Sequence, residues 1–166
     1  MEENRPGRAL VRFADRACGG WSMSAITAIT RTEVEAAVRH YWQVFAAKAR
    51  EDLRKLYADN ASVFGSSSKR LEPVRLTWVR REREYMASPA KMKVQLSNIE
   101  VEPIGSDAAL AAYNMSFKAQ SKGIVSATAG ETGNEHIANA RVTHLFVRQA
   151  DGSLRIMHEH ISAPVG

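Results

Sequence analysis

Two regimes of hydrophobic and polar patterning divide the chain. Apolar residues at Val34, Ala37, Val38, Tyr41, Trp42, Phe45 and Ala49 follow the spacing of one face of an α-helix. Thr32-Glu33-Val34-Glu35 predicts its capped start, with threonine covering the first free N–H groups and glutamate reaching back. A shorter helix is expected over Arg50–Tyr57 with Leu53, Leu56 and Tyr57 inward, stopped by Asp59-Asn60 and followed by a short strand from Ala61 to Gly65. Pro73 suits the first position of a third helix, where its missing N–H costs nothing, and Val74, Trp78 and Tyr85 then share a face. From Lys91 the period becomes two, with Met92, Val94 and Leu96 against Lys93 and Gln95. It slips at Ser97-Asn98 before Ile99 and Val101, which is the mark of a β-bulge that bends a sheet. Beyond a turn at Gly105-Ser-Asp107, a further apolar face carries Ala109, Ala111, Tyr113, Met115 and Phe117. The last two runs, 136–148 and 153–164, meet at Gln149-Ala-Asp-Gly152, where glycine supplies the positive φ of a tight turn. Three helices ahead of a strongly bent antiparallel sheet of about four main strands define an α+β fold.

Two stretches lack a buried pattern. Residues 1–24, rich in Arg and Gly, read as a disordered extension ahead of one domain over 25–166, with Met23 a competing start to Met1. Gln120–Asn134 is rich in Gly, Ser and Thr and long for a hairpin loop, so it is either a lid or slack chain.

Composition narrows the class. The 166 residues are one domain's worth, and no apolar run approaches the roughly 18 residues of a membrane span. The single cysteine, Cys18, excludes an internal disulfide framework and fits a cytoplasmic protein. Between Lys69 and Lys93, eight basic residues face three glutamates, so this region carries the whole net charge of +5. It reads as a solvated helix face, because no aromatic or Gly-rich nucleic-acid motif accompanies it. Nucleic acid is therefore not an expected partner.

Candidate chemistry sits mostly at the C-terminal end, which holds four of the five histidines. His144 shares an apolar strand face with Val142 and Phe146, while Arg141 lies on the other face, ready to bind an anion if the phase is reversed. In a regular strand His158 and His160 share a face with Leu154 and Ile156, and Glu159 shares the opposite one with Met157 and Ile161. Either the histidines are candidate general bases near neutral pH, or Glu159 is, raised by an apolar wall. The outward set would then form hydrogen bonds in a subunit interface. Tyr41, Phe45, Trp78, Tyr85, Tyr113 and Phe117 are candidates for an aromatic ligand wall or for plain core. A metal site is rejected, since His144, His158 and His160 fall on two faces with no carboxylate beside them, and no cofactor motif is present.

Three segments carry a family resemblance: the helix around Tyr41-Trp42, Leu56–Gly65, and Asp151-Gly-Ser-Leu-Arg-Ile-Met-His-Glu-His-Ile-Ser-Ala-Pro164. They resemble the NTF2-like (cystatin-like) superfamily, in its SnoaL-like and ketosteroid-isomerase-like subgroup, over about residues 30–164. The association domain of calcium/calmodulin-dependent kinase II is also similar. Leu154 stands where the family ending commonly has Trp. The resemblance implies a cone, with three N-terminal helices packed on the bent sheet around a cavity and the outer sheet face forming a homodimer. It implies a small apolar ligand bearing a carbonyl or carboxylate. The activity stays open between a cofactor-free isomerase or cyclase, or a related lyase or hydrolase, and a non-catalytic assembly module. Asp59 stands near where isomerases of the superfamily hold carboxylates, but no Tyr/Asp oxyanion pair and no Arg-x-Asp pair is found.

Overall fold

A computed structural model of the chain describes residues 28–65, 69–81, 86–87, 91–120 and 135–163. The expected extension over 1–24, the loop expected between Gln120 and Asn134, and Tyr85 lie outside the described residues. The elements run α1 (Arg31–Ala46), α2 (Arg50–Lys55), β1 (Tyr57–Phe64), β2 (Glu72–Pro73), α3 (Val74–Arg81), β3 (Lys91–Ile104), β4 (Ala108–Gln120), β5 (Glu135–Arg148) and β6 (Leu154–Ser162).

The capping box of α1 lies two residues earlier than the sequence pattern predicted. Thr30, not Thr32, accepts from the Glu33 N–H at 3.2 Å, and the Thr30 N–H donates to the Glu33 carboxylate at 3.0 Å. The motif recurs at both offsets, and the earlier one wins because it also places Glu33 beside Arg148, whose guanidinium holds both carboxylate oxygens at 3.0 and 3.1 Å. The Thr30 N–H first, and Arg148 second, lower the Glu33 pKa. One face of α1 then buries Val34, Val38, Tyr41, Trp42 and Val44.

The second helix is shorter than expected, and Asp59-Asn60 are not its stop. They lie within β1, whose start is fixed by the chain's other end: the Ile156 N–H donates to the Leu56 carbonyl at 2.8 Å, and Tyr57 pairs with Ile156. Pro73 sits one residue before α3, in the short β2.

The six strands form one sheet in the order β2-β1-β6-β5-β4-β3. It is mixed rather than wholly antiparallel, because β1 runs parallel to β6; every other pairing is antiparallel. Register breaks fall between Tyr57 and Ser62, between Ser97 and Glu100, and between Leu145 and Phe146. Such bulges bend strands, giving the curved sheet of the α+β cone. The second break confirms the slip read at Ser97-Asn98, with Asn98 at φ 52°, a left-handed conformation Asn tolerates. The final hairpin also forms as expected, with Gly152 at φ 83° and its N–H on the Gln149 carbonyl at 2.9 Å. Inward residues of β4 and β5 (Ala109, Ala111, Tyr113, Met115, Phe117, Val142, His144 and Phe146) are buried, and α1 lies across that face.

Thr30→Ala removes the side-chain half of the cap. It is expected to lower stability by about 1 kcal/mol, read as a drop in the urea midpoint, with no change in the fold seen by circular dichroism.

Candidate functional site

At the centre of the inner face lies a pair of ionisable side chains that no water reaches. His144 on β5 and Glu159 on β6 are directly opposed cross-strand partners, and both are 0% exposed. His144 Nε2 lies 3.1 Å from Glu159 Oε2. The same oxygen accepts from Tyr41 of α1 at 2.8 Å and from Tyr57 of β1 at 2.5 Å, and the two phenol oxygens are 2.9 Å apart. On the other edge of the imidazole, Nδ1 lies 3.2 Å from the Tyr113 hydroxyl, and Trp42 of α1 donates its indole N–H to that hydroxyl at 2.8 Å. The rings also pack edge to face, with Tyr41 4.8 Å from the His144 centroid and Phe146 5.6 Å from it. One hydrogen-bonded chain thus runs from Trp42 through Tyr113 and His144 to Glu159, where Tyr41 and Tyr57 close it.

The phase of β5 follows the apolar face read from sequence, with Val142, His144 and Phe146 inward. The phase of β6 does not follow the regular alternation. Leu145 pairs with His158 and Phe146 with Ile156, so Met157 is an extra residue in the ladder. That bulge puts Ile156 and Glu159 on the same, buried side. His158 and His160 consequently face outward, and they do not join Glu159. His158 Nδ1 lies 2.9 Å from the Ser62 hydroxyl, and His160 packs its edge on Phe64 at 5.4 Å. Burial first and the neighbouring His160 second push the His158 pKa below the ordinary imidazole value, with Glu159 opposing.

Of the aromatic candidates, Tyr41 and Tyr113 are in the chain, Phe45 stacks on Tyr41 at 6.1 Å, and Phe117 is buried further along β4. Trp78 falls in α3, with its side chain outside what is described. Arg141 is exposed on the outer face, paired across the ladder with Asn114 and Ser162, so the reversed phase that would have turned it inward does not occur. Two members of the chain were not expected there. Trp42 carries the helical period but no signal of a polar role, and Asp59-Asn60, with the chemistry of a helix stop, places Tyr57 in the helix before it.

Beside the chain runs a groove of roughly 260 Å³ between α1 and β3, lined by Arg39, Trp42, Gln43, Ala46, Val94 and Leu96. Trp42 is common to both, so the groove's apolar wall is also the donor end of the buried chain. A second hollow of roughly 370 Å³ lies where β1, β2 and the start of α3 meet, and it includes Asp59, which is exposed and apart from His144 and Glu159. Among the described residues no group of three His, Cys, Asp or Glu side chains is placed to hold a metal ion, and no helix is long and apolar enough to cross a membrane.

The sequence carries a family match that agrees with this fold. The family of SnoaL-like domains matches residues 34–166, and the chain belongs to it. No curated protein matches the sequence. Solved structures share the fold at low identity. A protein described as a calcium/calmodulin-dependent protein kinase II association domain from Xanthomonas campestris aligns with a TM-score of 0.65 at 20% identity, over 83% of this chain and 94% of that one. An NTF2-like protein from Pseudomonas putida gives 0.63 at 19%, over 81% and 87%. ActVI-ORFA from Streptomyces coelicolor gives 0.61 at 15%, over 80% and 95%.

Two outcomes follow for the histidines and Glu159. Glu159→Gln keeps the shape but loses the charged acceptor for three donors, and it is expected to cost about 1–3 kcal/mol in urea unfolding. Because the folded-state pKa of His158 lies below its unfolded value, its contribution is fully present above the ordinary imidazole pKa of about 6.5 and is lost as pH falls below it. The urea midpoint should therefore fall from pH 7 to pH 5.5, and His158→Asn should flatten that slope.

Proposed function

We propose that the protein binds a small, mostly apolar molecule bearing a carbonyl or carboxylate at the groove along Trp42, and that the buried chain behind it transfers protons without a cofactor. The observation that carries this reading is the His144–Glu159 pair at zero exposure, ringed by tyrosines from separate elements. Burying ionisable groups is a poor source of stability compared with apolar packing of the same volume. Clusters of buried titratable groups with specific partners are, on physical grounds, candidates for chemistry. The groove supplies an apolar wall from Trp42, Ala46, Val94 and Leu96, with Arg39 and Gln43 as polar groups that could orient a carbonyl or carboxylate. In this reading the protein is a cytoplasmic isomerase- or cyclase-type enzyme, with His144 and Glu159 in the acid–base machinery.

A second reading is assembly. On the outer sheet face Ile104 is 50% and Phe64 37% exposed, and half-buried Leu110, Leu145 and Val147 lie in the same field as His158 and His160. A homodimer through that face would cover them, leaving the inner groove for the ligand. Sedimentation velocity at micromolar concentration separates the cases: a dimer that Leu145→Glu dissociates supports the interface, and a monomer at every concentration removes it.

Ligand binding is tested by titrating 2-acetylnaphthalene and, separately, 2-naphthoate into ¹⁵N-labelled protein. The Trp42 indole N–H resonance, assigned with Trp42→Phe, should move saturably with at least one of them. If it stays fixed with both while the protein remains folded, the groove is not the binding site.

A further inference from the structure

We propose that Tyr113, His144 and Glu159 form a hydroxyl–imidazole–carboxylate relay in which the Tyr113 hydroxyl, held by the Trp42 indole N–H, is the group that exchanges a proton with the ligand. This deepens the reading above and rests on it for the presence of a ligand.

With Glu159 ionised and His144 neutral, the direction of each hydrogen bond follows from what each group can donate. An indole nitrogen only donates, so the Tyr113 oxygen accepts from Trp42. An ionised carboxylate only accepts, so the neutral imidazole must carry its proton on Nε2, where it faces Glu159 at 3.1 Å. Nδ1 is then the basic nitrogen, and the phenol 3.2 Å away donates to it. The order is that of a hydroxyl activated by an imidazole which a buried carboxylate orients. Trp42 adds a fixed donor at the oxygen where negative charge would develop. Tyr41 and Tyr57 anchor Glu159 Oε2 from the far side, and Glu159, fully buried and away from the groove lining, is poorly placed to act as the base itself. Tyr113 is also the relay member in contact with a groove-lining residue. The β3 bulge between Ser97 and Glu100 falls opposite Tyr113 on the neighbouring strand.

The step balances as a proton shuttle. A C–H bond next to the ligand carbonyl breaks, its proton forms an O–H bond on Tyr113, and the electron pair remains on the ligand as an enolate. The original Tyr113 O–H bond breaks as Nδ1–H forms on His144. The product is an enolate and an imidazolium, the latter beside the Glu159 carboxylate. Return of the proton to carbon restores the relay and leaves the ligand enolised, exchanged or isomerised.

The first measurement is on the ligand-free full chain, by long-range ¹H–¹⁵N correlation of the His144 ring at pH 7.5. Nε2 should be protonated and Nδ1 bare, and Tyr113→Phe should move Nδ1 towards the position of an unbonded nitrogen. A protonated Nδ1 in the wild type, or no movement in the variant, overturns the relay. The second uses 2-acetylnaphthalene in D₂O, following loss of its methyl protons by NMR. Tyr113→Phe should slow exchange by about a hundredfold while the Trp42 resonance still reports binding, and Trp42→Phe, which keeps every relay member, should slow it by a similar factor. Binding with exchange that ignores Tyr113 sinks the relay and leaves the ligand reading intact, whereas a Trp42 resonance deaf to both probes sinks the ligand reading while the His144 tautomer still judges the relay. If Tyr113→Phe does not fold, the wild-type tautomer and the Trp42→Phe exchange rate decide the matter.

Discussion

The constraint around which the inner face is built is the need to keep one buried carboxylate supplied with donors. Removing a charged Glu159 from water costs several kcal/mol unless hydrogen bonds replace its hydration. Those bonds come from Tyr41 on α1, Tyr57 on β1 and His144 on β5, three elements widely separated in sequence. Each must be placed to within a few tenths of an ångström for the set to close. Packing of Val34, Val38 and Ile156 brings the helix onto the sheet, but apolar contacts tolerate small slides that these bonds do not. The polar cluster therefore fixes where α1 sits along the sheet, and Trp42, one residue from Tyr41, is carried with it onto Tyr113.

Bulges decide which side chains take part. Side chains alternate along a strand, so a single extra residue exchanges the two faces beyond it. Met157 does this on β6: without it, Ile156 and Glu159 would point to opposite sides, and an apolar residue or an acid would be stranded. The break on β3 acts on the opposite edge of the same face, next to Tyr113. Through the extra residue at Met157, β6 presents both an apolar core residue and an acid inward, while its histidines are left facing out beside Ser62 and Phe64.

Periodicity made much of this legible in the sequence. The helical stripe through Tyr41 and Trp42, the slip at Ser97-Asn98, the Asp151-Gly152 turn and the more apolar face of Val142, His144 and Phe146 are all local signals, though which face of that strand turns inward is not, and the C-terminal ending points to the family. What escaped was set by partners distant in the chain. Asp59-Asn60 has the chemistry of a helix stop, and only pairing of Tyr57 with Ile156 makes it strand. Thr30 and Thr32 offer equivalent caps until Arg148 arrives at Glu33. The bulge at Met157 leaves no trace in Leu-Arg-Ile-Met-His-Glu-His, which alternates acceptably in either phase, so the assignment of Glu159 and the histidines to opposite roles had to await the ladder.

The parallel pairing of β1 with β6 has a consequence for how such a chain is made. β1 is followed by β2, α3 and three long strands before β6 emerges, yet β6 lies between β1 and β5 in the finished sheet. On a ribosome, Tyr57 and its neighbours leave the exit tunnel roughly a hundred residues ahead of the strand that covers them, at synthesis rates of about 5–20 residues per second. For those seconds the edge of β1 that β6 will cover is unpaired, and the sheet can form only as two separate parts, β1 with β2 and the β3–β4–β5 meander. Closure by β6 then inserts the acid and joins both halves of the sheet in one late, long-range event, the kind of step that loop-closure entropy makes slow.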